Sequence, residues 1–124
     1  MKEIKFRVWD KVIPQDLQEV EDGVASGEIV EWDYVKKSSY LMDGLNGKYP
    51  IMQYTGVRDL QGNEIYEGDI VKNAFGEEYK VVWEEKRCQF IAVTTNEDGS
   101  EWYQFVSRNF EVIGNIYEGK NSIK

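Results

Sequence analysis

Apolar residues recur at every second position through most of this chain. That period places successive side chains on opposite faces of an extended backbone, so it commits the chain to strands rather than helices. Ile4, Phe6 and Val8 fall on one face, and Lys5, Arg7 and Trp9 on the other. Val30, Trp32 and Tyr34 alternate with Glu31 and Asp33, and Tyr79, Val81 and Trp83 with Lys80 and Val82. Cys88, Phe90, Ala92 and Thr94 oppose Gln89, Ile91, Val93 and Thr95. Trp102, Gln104 and Val106 oppose Tyr103 and Phe105, and Phe110, Val112, Gly114 and Ile116 close the series.

The residues between these runs are turn formers. Asn96 to Ser100 carries Asp98-Gly99, a strong hairpin signal. Asn73-Ala74-Phe75-Gly76 separates two further runs, and Asp59-Leu60-Gln61-Gly62 reads as a turn with glycine in the left-handed position. Short strands at short intervals from about Tyr54 onward predict a small barrel or sandwich. The expected organisation is a single domain over 1–124, mainly β. An N-terminal strand and acidic arm occupy about 1–48, and a barrel core about 49–119. Gly62-Asn63-Glu64-Ile65-Tyr66-Glu67-Gly68 echoes Gly114-Asn115-Ile116-Tyr117-Glu118-Gly119, which we read as two similar strand ends using the same turn residues, with an internal duplication as the alternative.

Charge sets the arm apart. No basic residue lies between Lys11 and Lys36, whereas Asp16, Glu19, Glu21, Asp22, Glu28, Glu31 and Asp33 all do. Pro14, followed by Leu17, Val20 and Val24, suits a short helix that Gly23 and Gly27 interrupt. The whole chain has 15 basic and 23 acidic residues, a net charge of −8. Binding to duplex DNA at physiological salt is therefore not expected.

Composition excludes further classes. With no histidine, the chain cannot supply a His-based triad, base or metal site. One cysteine, Cys88, gives neither an intrachain disulfide nor a cysteine-cluster zinc site, and fits a reducing compartment. The opening Met1-Lys2-Glu3-Ile4-Lys5 carries no apolar leader core, and no apolar run approaches the ~20 residues of a membrane span. These features predict a soluble, cytoplasmic protein with no membrane association.

Three segments then carry a resemblance. They are Lys5-Phe6-Arg7-Val8-Trp9-Asp10, the long run from Met52-Gln53-Tyr54-Thr55-Gly56-Val57-Arg58-Asp59 through Gly62 to Val71, and Glu111-Val112-Ile113-Gly114-Asn115-Ile116-Tyr117-Glu118. The chain resembles the YopX family, small proteins encoded by phages and prophages of Gram-positive bacteria. The resemblance implies a β-dominated fold with a small closed barrel, here taken as SH3-like, a phage or prophage origin, and self-association. It implies no activity. Gln15 to Leu45 matches no pattern of the family, and Gly119-Lys120 stands where many relatives continue with an Asn-Pro-Glu tail.

The central motif also reads physically. Gln53, Tyr54, Thr55, Gly56, Ile65, Tyr66, Glu67, Gly68, Asp69, Ile70 and Val71, with Gly114, Asn115 and Tyr117, are assigned structural roles. In Glu67-Gly68-Asp69, glycine bends the chain and aspartate caps turn amides before the Ile70-Val71 strand. The competing reading is a catalytic or metal-binding carboxylate pair, Glu67 and Asp69. Gly99 taken as the central glycine of a calcium loop puts Thr94 and Phe105 where acids are required, so that pattern fails. Cys88 is expected to be a small buried residue of a strand.

No catalytic residue, metal or cofactor is expected, and the chain is not read as an enzyme. Tyr54, Tyr66, Tyr103, Tyr117, Trp83 and Trp102 suit a core or an interface better than a nucleic-acid stacking platform, because only Lys36-Lys37 and Lys86-Arg87 offer a basic track. The leading expectation is a non-enzymatic module that binds a phage or host protein and itself. It rests on the 14% aromatic content and on the two-sided apolar pattern of 88–95. The alternatives are a nucleic-acid-binding or regulatory barrel, and an acidic phosphate mimic whose Asp16–Asp33 stretch occupies a host protein's basic surface.

Overall fold

The computed structural model describes residues 3–10 and 27–120. The fold is mainly β, with antiparallel pairing throughout and two short helices. The residues fall into two compact units, one from Ile4 to Gln53 and the other from Tyr54 onward with Glu3. The boundary lies inside strand β3 (Ile51–Arg58), whose two halves take different partners.

In the N-terminal unit, β1 (Phe6–Asp10) pairs with β2 (Glu28–Val30), placing Val8 opposite Val30. On its other edge β1 pairs with the first half of β3, placing Phe6 opposite Gln53. Both faces of β1 are covered: Arg7, Val8, Trp9 and Asp10 are all buried. Gly27 lies where a Cβ would meet the Trp9 indole at 2.4 Å, so only glycine lets β2 start there without moving the ring.

Helices α1 (Trp32–Val35) and α2 (Tyr40–Leu45) pack on β1. The alternation at Val30, Trp32 and Tyr34 predicted a longer strand, and the structure corrects it. The strand stops at Val30, and the chain turns helical after an extended Glu31 whose carbonyl accepts the Tyr34 and Val35 amides. That turn buries Val35 and sets the Trp32 ring edge-on to Phe6. Packing outweighs a period that spans only five residues. The helix expected between Pro14 and Val24 lies outside the described residues.

Tyr40 donates its hydroxyl proton to the buried Asp10 carboxylate, with Tyr34 and Tyr49 rings against its own. That bond, followed by burial and the Asp10 charge, pushes the Tyr40 pKa up to about 12. A tyrosine whose folded pKa lies above its unfolded value near 10 stabilises the fold fully below pH ~10. The contribution is lost as pH rises through about 12. Tyr40→Phe is therefore expected to lower stability at neutral pH and to flatten the stability loss of the native chain between those limits. Denaturant melts of both proteins from pH 8 to 12 measure this. Parallel curves would rule it out.

In the C-terminal unit, the second half of β3 pairs with β4 (Glu64–Tyr66). The register shifts between Tyr54 and Arg58 around Gly56, whose φ of +91° is open to glycine. Thr55 seals the bulge: its hydroxyl donates to the Ile65 carbonyl at 2.8 Å and accepts the Val57 amide.

The remaining strands are β5 (Asp69–Lys72), β6 (Glu78–Glu84), β7 (Gln89–Thr95), β8 (Glu101–Phe105), β9 (Glu111–Asn115) and β10 (Gly119–Lys120). Their hydrogen-bonded order is β10-β9-β5-β6-β7-β8. The sheet curls into a half-barrel. Its inner face holds one core of Val71, Tyr79, Val81, Phe90, Ala92, Phe110 and Val112, joined by Ile65 of β4. The expected closed barrel takes this open form; no ladder joins β8 to β10 among the described residues.

Cys88 departs from expectation. It is exposed, with φ +52°, and ends the four-residue Glu85–Cys88 turn before β7 begins at Gln89.

Candidate functional site

The three segments of the resemblance have structural work to do. Within the C-terminal unit, the second and third meet. Asp69 stands opposite Asn115 in the β5–β9 ladder, and the Ile116 amide donates to the Gly68 carbonyl at 2.9 Å. Gly68 has φ +90°, and its amide donates to Val81. Asp69 is wholly buried and accepts the Tyr66 amide at 2.7 Å. Asn115, equally buried, accepts the Tyr117 and Glu118 amides and donates to the Glu118 carboxylate. The echoed Tyr-Glu-Gly segments are thus two turns fastened side by side, each held by a buried side chain of its own.

Tyr54 and Tyr66 rest ring against ring, both buried, so neither presents a face to a base. Ile65 and Val71 are core, Ile70 lies on the outer side of the sheet, and Gln53 pairs with Phe6 in the other unit. Tyr117 is pushed up in pKa by burial and then by the charge of Glu67. The Glu67–Asp69 pair is poorly placed for chemistry, because the Asp69 carboxylate is closed off from solvent and used on the backbone. No group of metal-ligating side chains occurs among the described residues.

Sequence reasoning treated Asp59 only as a turn residue. Its carboxylate, 5% exposed, accepts the Gln61 and Asn63 amides within the turn and the Val112 amide 53 positions away. It bolts the β3–β4 connection to β9.

The acidic candidates scatter. Glu28 begins β2, Glu31 precedes α1, and Asp33 lies in its first turn, 3.6 Å from Lys36. Asp16, Glu19, Glu21 and Asp22 lie outside the described residues.

Among the described residues, several exposed large aromatic side chains share one strand. The two-sided strand at 89–95 is interior to the sheet, flanked by β6 and β8, and its apolar inner face is core. The exposed position falls to β8, the edge strand, where all five residues are open to solvent. Trp102 is 62% exposed, Tyr103 44% and Phe105 59%. Gln104 faces inward and donates to the Tyr79 hydroxyl, so Tyr103 and Phe105 face outward beside Val93 and Ile91. The Arg87 guanidinium lies over the Tyr103 ring at 4.4 Å, a contact that shields one face of the ring. From the sequence, Arg87 entered only as half of the Lys86-Arg87 basic pair and Phe105 only as a position in the strand alternation. Alternation reads alike for a central and an edge strand, and a cation–π contact between a turn and a strand has no local signature.

A family model described as YopX protein matches residues 5–124, nearly the whole chain. The chain belongs to the YopX family. No curated protein matches the sequence. Among solved structures, the chain is similar to protein EF1440 from Enterococcus faecalis, with 20% identity over 95% of this chain and 96% of that one, and a TM-score of 0.37. Among the described residues no helix is long and apolar enough to cross a membrane.

Proposed function

We propose that this YopX protein is a non-enzymatic interaction module that associates with itself through the β8 edge. In the setting the family implies, it is phage- or prophage-encoded and acts in the host cytoplasm. The observation that carries the reading is β8 itself. Natural edge strands are blunted by lysine, proline, bulges or covering loops. β8 has one charged residue, Glu101 at its start, no proline, and three large aromatic side chains exposed. Tyrosine and tryptophan give such a surface contact area at low entropy cost.

The nucleic-acid reading has less support. The exposed aromatics lack a basic track, and the chain carries a net charge of −8. The buried carboxylates hold turns, which favours a module without turnover.

The expected result is a light-scattering mass that is a multiple of 14.5 kDa at tens of micromolar protein, persisting when salt is raised. Aromatic-centred association resists salt, whereas phosphate binding falls steeply with it. A monomeric mass under these conditions sinks the reading. Micromolar affinity for duplex DNA at about 150 mM salt would replace it with the nucleic-acid alternative.

A further inference from the structure

The polarity of the β8 edge restricts how a second copy can sit on it. The hairpin before β8 closes with the Asn96 amide donating to the Ser100 carbonyl and the Gly99 amide to the Asn96 carbonyl. Antiparallel pairs alternate between those that exchange hydrogen bonds and those that do not. Counting on from the closed Asn96–Ser100 pair, Trp102 and Gln104 bond to Thr94 and Ala92. Glu101, Tyr103 and Phe105 therefore point their amides and carbonyls away from β7, into the open edge. A strand added there must offer its own odd-numbered residues to these three.

We propose that two copies join by antiparallel β8–β8 pairing about a two-fold axis at Tyr103, with Arg87 of each copy meeting Glu101 of the other. This rests on the self-association proposed above and names its geometry. Centred on Tyr103, the strands pair along their whole length: Tyr103 faces Tyr103 of the second copy, and Glu101 faces Phe105 of the second copy. Each facing pair exchanges two hydrogen bonds.

Paired length and charge together select this register, since an axis at Trp102 would leave Phe105 opposite Gly99 in the hairpin turn. Arg87 lies on the outer side of the sheet over Tyr103, next to Phe105 on the same side. Glu101 of the second copy arrives opposite Phe105, within reach of that guanidinium. The two-fold axis repeats the contact, so each protomer gives one cation and one anion. Moving the axis to Gln104 places Glu101 opposite Ser107 and forfeits the pairing. In a chain with net charge −8, this contact brings opposite signs together.

Charge exchange tests it. Arg87 and Glu101 are both exposed, so each substitution is expected to leave the melting midpoint nearly unchanged. Arg87→Glu puts two acids at each contact and Glu101→Arg puts two bases there. Each variant alone is expected to weaken association at least tenfold in sedimentation equilibrium. An equimolar mixture of the two is expected to recover the native mass, because each foreign pair is again opposite in sign. Tyr103→Pro removes an outward amide and is expected to give a monomer.

Recovery in the mixture supports the pairing, since no contact within a single chain changes on mixing. Oligomers that ignore both charge variants and Tyr103→Pro overturn this pairing and leave self-association standing. Weakened singles whose mixture stays weak overturn the Arg87–Glu101 contact. A monomeric native chain overturns both readings.

Discussion

Asp59→Ala is expected to lower the melting midpoint by at least ~10 °C, the largest effect of any single side-chain truncation outside the apolar core. The carboxylate accepts amides from Gln61 at 2.9 Å, Asn63 at 2.8 Å and Val112 at 2.9 Å, and Asn63 donates its side-chain amide at 3.4 Å. Hydrogen bonds to a charged acceptor contribute about 1.5–3 kcal/mol each, and a buried donor left unmatched costs its full desolvation. Water can reach the turn amides once the carboxylate is gone, but the Val112 bond is buried. The expected loss is about 3–5 kcal/mol. Asp59→Asn keeps one oxygen for the turn amides and turns an NH2 toward a donor or leaves it unpaired, so an intermediate fall is expected. Thermal melts followed by circular dichroism check both. A shift under 3 °C for Asp59→Ala would mean that β9 is held without this bolt.

The residues that make Asp59 important show where sequence reading reached and where it stopped. Turns were legible because their chemistry is local. Gly62, Gly76 and Gly99 all have positive φ, at +87°, +82° and +90°, in the turns predicted for 59–62, 73–76 and 96–100. Asn73 and Asp98 accept nearby amides as such turns require. The bond from Asp59 to Val112 spans 53 positions, and nothing in either segment announces the other.

Cys88 was misread for a related reason. Glu85-Lys86-Arg87-Cys88 contains no glycine, proline or asparagine, so a turn signal was missing, and the left-handed conformation fell on the cysteine. The candidate site was half legible. The aromatics Trp102 and Tyr103 were singled out from the sequence, and self-association was expected from exposed aromatics along short strands, with the two-sided pattern of 88–95 as its example rather than the edge strand. Strand order decides which two-sided strand becomes interior and which an edge, and strand order is a property of long-range pairing.

Asp69 and Gly68 separate the structural from the chemical reading of the central motif. Asp69→Ala removes the acceptor of the Tyr66 amide from a fully buried position and leaves a cavity the size of a carboxyl group. A charge-assisted bond lost and a buried donor orphaned together predict about 2–4 kcal/mol. Gly68→Ala forces a Cβ into φ +90°. The backbone there also carries the bonds to Val81 and Ile116, so the chain cannot relax without releasing them. The strain predicts about 1–2 kcal/mol. Asp69→Asn retains an acceptor but buries an amide NH2, and is expected to fall between the native chain and Asp69→Ala. The expected order of melting midpoints is native, then Asp69→Asn, then Asp69→Ala, with Gly68→Ala below native as well. A carboxylate pair built for chemistry predicts the reverse: Asp69→Asn folded as well as native, with a lost function as its signature. Equal midpoints across the series would therefore move Glu67 and Asp69 from scaffold to active group, and would reopen the assignment of this protein as a module without turnover.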